Sequence, residues 1–353
     1  MSRLLPLPPQ PQGVPWPNEG WPEGELPAGV DLGPLLDEAF DDASAIATTH
    51  AVVVVHHGRI VSEHYHGALE HFDRPPTPVA ADTPLLSWSM AKSVLHAVVG
   101  VLVANGRVDL DAPAPVPAWT DPADPRHGIT LRQLLAMRDG LDFVEDYVDD
   151  RVSDTIQMLF GDRQSDMANF AADRPLAAPP GTRFNYSSGT SNIVSGVVAR
   201  TVGPGEDYAR FLHGRLFSPL GMESADPEFD EAGTWLASSY LRATARDWAR
   251  FGLFYLRDGL WDGVRLLPAG WVDYGRTMVS TDEDGQPYGA HWWGLPGDNP
   301  LGTFRASGYE GQSISICPAL DLVVVRLGKT PLEREDNLIP WRIAMVQAFA
   351  SAR

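Results

Sequence analysis

The sequence predicts an α+β fold in which strands from both ends of the chain enclose a mainly helical insertion. A β-branched run, a His-Gly-Arg turn and a second β-rich run predict a hairpin over residues 51–65. Three more β-rich runs with turns between them follow residue 288, before a closing amphipathic helix. The pattern between about residues 110 and 285 is helical and rich in loops, so the insertion separates two parts of one strand-containing body.

A chain of 353 residues is long for one hydrophobic core, so two subdomains are expected. The first 30 residues are rich in proline, glycine and tryptophan, which predicts an extended arm lying on the body through Trp16 and Trp21. The predicted division is an arm and first helix at 1–45, an α/β domain at 46–110 with 285–353, and a helical domain at 111–284.

The composition excludes several classes of partner. Hydrophobic residues make up 44% and charged residues 21%, which is typical of a globular protein. The net charge of -19 argues against binding to nucleic acid or to an anionic membrane surface. No stretch is long and apolar enough for a membrane span, and the prolines of residues 1–17 argue against a secretory signal, so we expect a cytoplasmic protein.

Cysteine and histidine give no sign of a disulfide or a metal. Cys317 is the single cysteine, and its apolar surroundings predict a small core residue. Five histidines cluster around the predicted hairpin: His56, His57, His64, His66 and His71. Strand alternation would place only His64 and His66 on one face, with no carboxylate or cysteine at a ligand spacing. We therefore expect neither a metal nor another cofactor.

The stretch 86–106, LSWSMAKSVLHAVVGVLVANG, carries the first candidate catalytic pair. Its apolar residues recur at steps of three and four, which predicts a helix with a buried face that ends at Asn105-Gly106. Ser89 and Lys92 are three residues apart and so share one face of its first turn. A buried lysine loses its proton more readily and can activate a serine, although a serine cap followed by a solvated lysine is the ordinary alternative.

Two further stretches carry candidate residues. Tyr186 follows a Pro-Pro-Gly turn and precedes a predicted helix, where a buried tyrosine with a satisfied hydroxyl is the alternative. Tyr147 lies in an acidic segment with Glu145, Asp146, Asp149, Asp150 and Asp154. A solvated loop explains such a segment, and the functional alternative is a rim that offers Tyr147 to a pocket and a carboxylate to a substrate ammonium.

Near the carboxyl end, Gly308-Tyr309-Glu310-Gly311-Gln312 interrupts a predicted strand with two glycines. Glycine in a strand often allows the backbone to approach another group closely, although a simple bulge explains the pattern equally well.

Together, the phrases Ser89-x-x-Lys92, Tyr186-Ser187-Ser188-Gly189 and Ser307-Gly308-Tyr309-Glu310-Gly311 resemble the serine β-lactamase and penicillin-recognising superfamily. The phrases WSMAKSV, ITLRQLLAMRDGLD, PGTRFNYSSG, LFSPLGM and ATARDWARFG are most similar to its class C and esterase branch, and within it to the 6-aminohexanoate-dimer hydrolases. The resemblance runs from about residue 50 to 350. It implies an antiparallel sheet flanked by helices, beside a helical domain, with the site in the cleft between them.

The resemblance also implies roles for the candidate residues. Ser89 would be the acylated nucleophile and Lys92 would accept or relay its proton. Tyr186 would act either as a base for Ser89, if Lys92 lowers its pKa from near ~10, or as a donor to the leaving group. Tyr147 would assist the leaving amine. The backbone N–H groups of Ser89 and Gln312 would form an oxyanion hole, with Tyr309 and Gly311 as neighbouring supports.

Two departures from the superfamily's patterns bear on the substrate. Ser188 stands where lactamases usually have asparagine, and Tyr309 stands where they have lysine or, in many esterases, histidine. The second departure removes the expected cationic contact to a substrate carboxylate. Both weaken the prediction of an antibiotic hydrolase and leave hydrolysis of an ester or a linear amide.

The predicted function is therefore a serine hydrolase that cleaves a small linear amide or ester, similar to a 6-aminohexanoate oligomer, through an acyl-enzyme on Ser89. Alternatives of the same fold are a carboxylesterase, a D-amino-acid amidase or peptidase, and a sensor that is acylated without turnover. The absence of G-x-S-x-G argues against an α/β-hydrolase. A homodimer stays an open prediction, because the sequence does not define the oligomeric state.

Overall fold

An eight-stranded antiparallel sheet runs through the protein, seen in a computed structural model that describes residues 4–71, 73–161 and 165–352. The strands are β1 Thr48–His56, β2 Arg59–Tyr65, β3 Ala68–Leu69, β4 Thr77–Pro78, β5 Leu85–Leu86, β6 Asp226–Pro227, β7 Leu241–Ala243, β8 Leu260–Trp261, β9 Val264–Arg265, β10 Ser280–Thr281, β11 Pro287–Tyr288, β12 Trp293–Gly294, β13 Phe304–Gly308, β14 Gln312–Cys317 and β15 Leu322–Lys329. The helices are α1 Gly33–Ala39, α2 Met90–Ala104, α3 Leu131–Leu135, α4 Asp154–Phe160, α5 Met167–Ala172, α6 Ser188–Val202, α7 Glu206–Leu212, α8 Ala245–Leu256, α9 Trp271–Arg276 and α10 Leu338–Ala350.

The two ends of the chain meet in the middle of the main sheet. Its order is β10-β11-β12-β13-β14-β15-β1-β2, and Val53 of β1 lies opposite Val325 of β15. Alternation along β1 sends Val53 and Val55 into one buried core with α2 and α8, and Val52 and Val54 into another with α10. Helices therefore cover both faces of the sheet, and the predicted fold class is confirmed.

Side chains set the limits of several helices. Helix α1 ends at Ala39, where the Asp41 side chain accepts the N–H of Ala43 and starts a turn. Helices α4 and α5 are separate, and Asp166 caps the second. Helix α2 ends as expected, with Asn105 at its cap and Gly106 in a left-handed conformation at φ +62°.

The inserted region packs around α6. Helix α6 lies against α5 and α3 and also touches α2, so it joins the insertion to the helix that carries Ser89. Helix α8, although it also falls between residues 111 and 284, packs on β14, β15 and β1 of the sheet. The division into three domains stays a prediction.

The amino-terminal arm lies against α8 and the segment that follows it. Trp16 packs on Trp261 with ring centroids 5.0 Å apart, and the indole of Trp21 donates to the carbonyl of Arg246 at 3.2 Å. Two buried arginines of the body in turn donate to the arm: Arg250 to the carbonyl of Pro17 at 2.7 Å, and Arg257 to the side chain of Gln10 at 2.9 Å.

The described residues contain neither a membrane-spanning helix nor a group of metal ligands. None of their helices combines the length and apolar character needed to cross a membrane. None of their histidine, cysteine and carboxylate side chains come together in a group of three or more that could hold a metal ion. Cys317 is buried in the core beneath α10, as its surroundings predict.

Candidate active site

The start of α2 presents Ser89 for chemistry rather than for capping. Ser89 is the N-cap residue, yet its side chain makes no capping hydrogen bond and its backbone is already helical. The preceding Trp88 has φ +46°, a left-handed conformation that is strained for a bulky residue, and its indole donates to Glu310 at 2.9 Å. Pairing of β5 with β7 fixes the chain just before this turn. The ordinary alternative, a serine cap, is therefore not what the fold contains.

Lys92 is buried beneath Ser89 and is fully hydrogen-bonded. Its ammonium nitrogen donates to Ser89 Oγ at 2.8 Å, to the carbonyl of Ser238 at 2.9 Å and to Ser188 Oγ at 3.2 Å. Burial lowers the pKa of Lys92 to about 8, while the carboxylate of Glu145 opposes that change. An amine with this pKa exchanges its proton near neutral pH and lies in contact with the serine hydroxyl.

Tyr186 completes the group from the entrance of α6. Tyr186 lines the same cavity as Ser89, whose side chain acts on the pKa of the Tyr186 hydroxyl, and Lys92 Nζ lies 4.9 Å from the centre of the Tyr186 ring. Burial, and then the charge of Glu145, raise the pKa of Tyr186 above its ordinary value. A base would need the opposite change, so the geometry favours Lys92 as the proton acceptor and Tyr186 as a donor.

Glu145 is the residue that sequence reasoning missed, since the whole acidic segment was expected to be solvated or to face a substrate. Its carboxylate accepts four hydrogen bonds at 2.7 Å, from Ser188 N, Ser188 Oγ, Tyr147 Oη and Thr155 Oγ1. Alternation in an extended segment could have found it, because Glu145 is two positions from buried Phe143 and two from Tyr147, which lines the cavity. Glu145 thus ties the Tyr147 loop to the residues beneath Lys92.

The glycine-rich interruption closes the site from the sheet side. A Cβ atom on Gly308 would lie 2.3 Å from the carbonyl of Ser87 and 3.0 Å from Ser89 N, so only glycine allows β13 this close to the serine. The Tyr309 ring packs on Tyr147, with centroids 5.2 Å apart. The interruption is therefore a close approach between backbone segments, one of the two predicted alternatives.

Gly311 and Gln312 serve the fold behind this contact. Gly311 has φ +83°, and a Cβ atom there would lie 2.3 Å from the Leu338 side chain. The Gln312 amide bonds the backbone of Gly328, donating to its carbonyl at 2.6 Å and accepting its N–H at 3.0 Å. Both residues lie outside the wall of the cavity described next, and the oxyanion contact from the Gln312 N–H stays a prediction.

A cavity opens directly above Ser89. The predicted residues Ser89, Tyr147, Tyr186 and Tyr309 line it together, while Lys92 lies beneath. A neighbouring cavity shares the side chains of Tyr147, Tyr186 and Trp293 and carries five acidic residues in its wall: Asp142, Glu145, Asp282, Glu283 and Asp284. The cleft around the serine therefore has a strongly acidic side.

The model of the beta-lactamase family matches residues 36–348, almost the whole described chain. The chain belongs to the beta-lactamase family. This family membership confirms the resemblance predicted from the three motifs.

Two curated proteins that are similar to this chain are named as hydrolases. The chain is 28% identical over 303 residues to the 6-aminohexanoate-dimer hydrolase of Paenarthrobacter ureafaciens, covering 80% of this chain and 73% of the relative. It is also 28% identical over 218 residues to esterase EstB of Burkholderia gladioli, with 56% of this chain and 54% of the esterase covered. The predicted enzyme class, a serine hydrolase, is confirmed at this level.

Solved structures agree on the fold. A Bacillus anthracis protein assigned provisionally to the 6-aminohexanoate-dimer hydrolases superposes with a TM-score of 0.73 at 22% identity, over 98% of this chain and 90% of that one. A penicillin-binding protein from Bacillus halodurans gives 0.67 at 18% identity, over 89% of this chain and all of that one. At these identities the likeness concerns the fold alone.

Proposed function

We propose that this beta-lactamase-family hydrolase cleaves small linear amides or esters of the 6-aminohexanoate-oligomer type through an acyl-enzyme on Ser89. The observation that carries the proposal is the 2.8 Å hydrogen bond between Lys92 Nζ and Ser89 Oγ, at the floor of a cavity that Tyr186 and Tyr147 also line. A positioned amine and a serine hydroxyl in contact are the elements that nucleophilic acyl transfer needs.

In the proposed reaction, Ser89 Oγ attacks the substrate carbonyl carbon while its proton passes to neutral Lys92. The Ser89 N–H, at the start of α2, lies where it can stabilise the oxyanion that forms. As the C–N or C–O bond breaks, the proton returns through the Tyr186 hydroxyl to the leaving atom. Water then attacks the acyl carbon, which releases the acid and restores Ser89.

Charge supports an ammonium-bearing substrate of this type. The acidic wall beside Tyr147 and Tyr186 would attract a terminal ammonium group into the cleft. Ser188, which replaces the usual asparagine, has its hydroxyl bonded to Lys92 and Glu145 and leaves no amide to hold a β-lactam side chain. Both observations favour a linear amide over an antibiotic, and the esterase relative supports esters as a second substrate.

The test is turnover of 6-aminohexanoate dimer, short p-nitrophenyl esters and nitrocefin by the purified protein and by Ser89→Ala. We expect the dimer or the esters to be cleaved, nitrocefin to be cleaved poorly, and Ser89→Ala to lose activity by roughly 10⁴-fold or more. Retained turnover in Ser89→Ala would contradict the proposal.

Intact mass spectrometry separates turnover from sensing. A hydrolase gives a transient acyl adduct on Ser89 that disappears as product accumulates. A stable adduct without product release would instead indicate an acylated sensor of the same fold and would overturn the proposed hydrolysis.

A further inference from the structure

Two arginines, Arg305 and Arg342, line the cavity above Ser89. Arg305 on β13 is 3% exposed, and Arg342 on α10 is only partly exposed. Within the described part of the chain, neither guanidinium forms an ion pair with a carboxylate. Their hydrogen-bond acceptors are neutral: Arg305 donates to Ser307 Oγ at 3.2 Å, Gly294 O and Gln286 Oε1, and Arg342 donates to Ser313 Oγ at 3.2 Å and Gly311 O at 3.1 Å.

Such an arrangement leaves positive charge poorly compensated in a low-dielectric setting. Burial lowers the pKa of Arg305 to about 9, with Arg342 adding repulsion, and burial lowers the pKa of Arg342 to about 10. Both groups are still protonated at neutral pH. Removing an unpaired charge from water is unfavourable, and an anion placed between the guanidinium groups would relieve that cost.

The acidic groups nearby compensate the pair only in part. Glu335 lines the same cavity, and its charge partly opposes the lowering of the Arg342 pKa. It forms no ion pair with either guanidinium, and its Oε1 is buried without a hydrogen-bond partner in the described structure. Asp336 is exposed at the cavity edge, and Asp282 affects Arg305 only through its charge at a distance. One buried and one half-buried cation therefore share this cavity wall with a half-buried carboxylate, Glu335, and an exposed one, Asp336.

We propose that Arg305 and Arg342 form a subsite that binds a carboxylate group carried by the substrate. The guanidinium fork matches a carboxylate in shape and charge, and Ser307 adds a hydroxyl in the cavity wall between Arg305 and the Ser89 end. The sequence indicated that a cationic contact was lost when Tyr309 took the motif position. These two arginines supply positive charge to the same cavity from β13 and α10.

This inference rests on the proposed function, because it describes the substrate of the same site. The two guanidinium groups lie on one side of the cleft, and the neighbouring side has five carboxylates and one arginine, Arg183. A linear amide with an ammonium at one end and a carboxylate at the other fits that polarity. A neutral ester would use the serine but not the arginine subsite.

The experiment measures binding without turnover. Calorimetry on the Ser89→Ala protein compares 6-acetamidohexanoate with 6-acetamidohexanamide, which has the same length and no charge. We expect the acid to bind about tenfold more tightly or better, as a charge-assisted contact implies. Arg342→Gln should remove that preference, and Arg342→Lys should retain part of it. Arg334→Gln is the matched control, since Arg334 is exposed and lies outside the cavity.

Equal affinity for acid and amide, or no detectable binding of the acid, overturns the subsite even if Arg342→Gln proves unstable. A preference that survives both Arg342→Gln and Arg305→Gln also overturns it. A preference for the acid in a protein that cleaves no amide or ester leaves the subsite standing and rejects the proposed function. Turnover of an amide or ester without a preference for the acid would leave the proposed function standing and reject the subsite.

The effect of the Glu335 charge on the affinity for the acid gives a second check. Glu335→Gln keeps the size of the side chain but removes the competing negative charge. We expect it to tighten acid binding severalfold and to leave amide binding unchanged. Weaker acid binding would show that Glu335 does not act as the counter-charge and would overturn the assigned charge balance of the subsite.

Discussion

The start of α2 and the acidic loop at 142–153 meet at the same cavity but are built differently. Around Lys92 every donor has an acceptor and the surroundings are buried, so the reacting groups are fixed by the core. The middle of the loop is open, with Val148 76% exposed and Tyr147 37% exposed. Phe143 anchors the start of the loop in the core, and Glu145 connects the loop to Ser188 beside Lys92. The core thus fixes the positions of Ser89 and Lys92, while the Glu145 carboxylate links them to the exposed part of the loop.

Replacing Lys92 tests the groups at the start of α2 and should cause the largest loss of activity. Lys92→Met keeps a similar volume but removes the proton acceptor, so kcat/KM should fall by roughly 10³-fold or more. Because a desolvated charge is also removed, the thermal midpoint should not fall. Lys329→Met is the control, since this exposed lysine at the end of β15 lies far from the cavity wall. Steady-state kinetics and thermal melts check both statements, and near-normal turnover would remove Lys92 from the mechanism.

Tyr186→Phe removes one oxygen and little volume from the same group. If Tyr186 returns the proton to the leaving atom, kcat for an amide should fall by about 10²-fold. Activated p-nitrophenyl esters should lose much less, because p-nitrophenolate leaves without protonation. Equal losses for amide and ester across pH would instead assign Tyr186 to the activation of Ser89.

The pH profile of the unmodified protein tests the same assignment. Lys92 is an effective acceptor only when neutral, and burial lowers its pKa to about 8. Below that value kcat/KM should therefore rise by about tenfold per pH unit and should level off above it. Rates measured between pH 5.5 and 9 on one ester and one amide give the profile, and a flat profile through pH 8 would contradict the assignment.

Glu145→Gln tests the coupling between loop and core. The change weakens the contacts to Ser188 and Tyr147, so kcat/KM should fall by about tenfold at pH 9. Since the Glu145 carboxylate raises the pKa of Lys92, its removal should move the rising limb of the profile to lower pH. Glu206→Gln, an exposed change in the first turn of α7, is the control. If the rising limb of the kcat/KM profile stays at the same pH, Glu145 acts through packing alone.

The sequence predicts the parts that depend on local pattern. Spacing in stretch 86–106 indicates α2 and the meeting of Ser89 with Lys92, and the β-rich ends indicate the sheet. The inward direction of Glu145 was missed, because its charge suggests solvent while Thr155 and Ser188, farther along the chain, hold its carboxylate. Likewise, Arg305 and Arg342 are 37 positions apart and line one cavity only because α10 packs on the sheet, where Arg342 bonds Ser313 of β14.

The contacts of the amino-terminal arm have a consequence for handling this protein. Arg250 and Arg257 are buried cations whose hydrogen bonds end partly on Pro17 and Gln10. Trimming the first 20 residues would therefore do more than shorten a tail, because water would have to enter and solvate guanidinium groups that the arm now shields. A shortened protein should lose heat resistance before it loses its acylation chemistry, since the serine lies on a different part of the body.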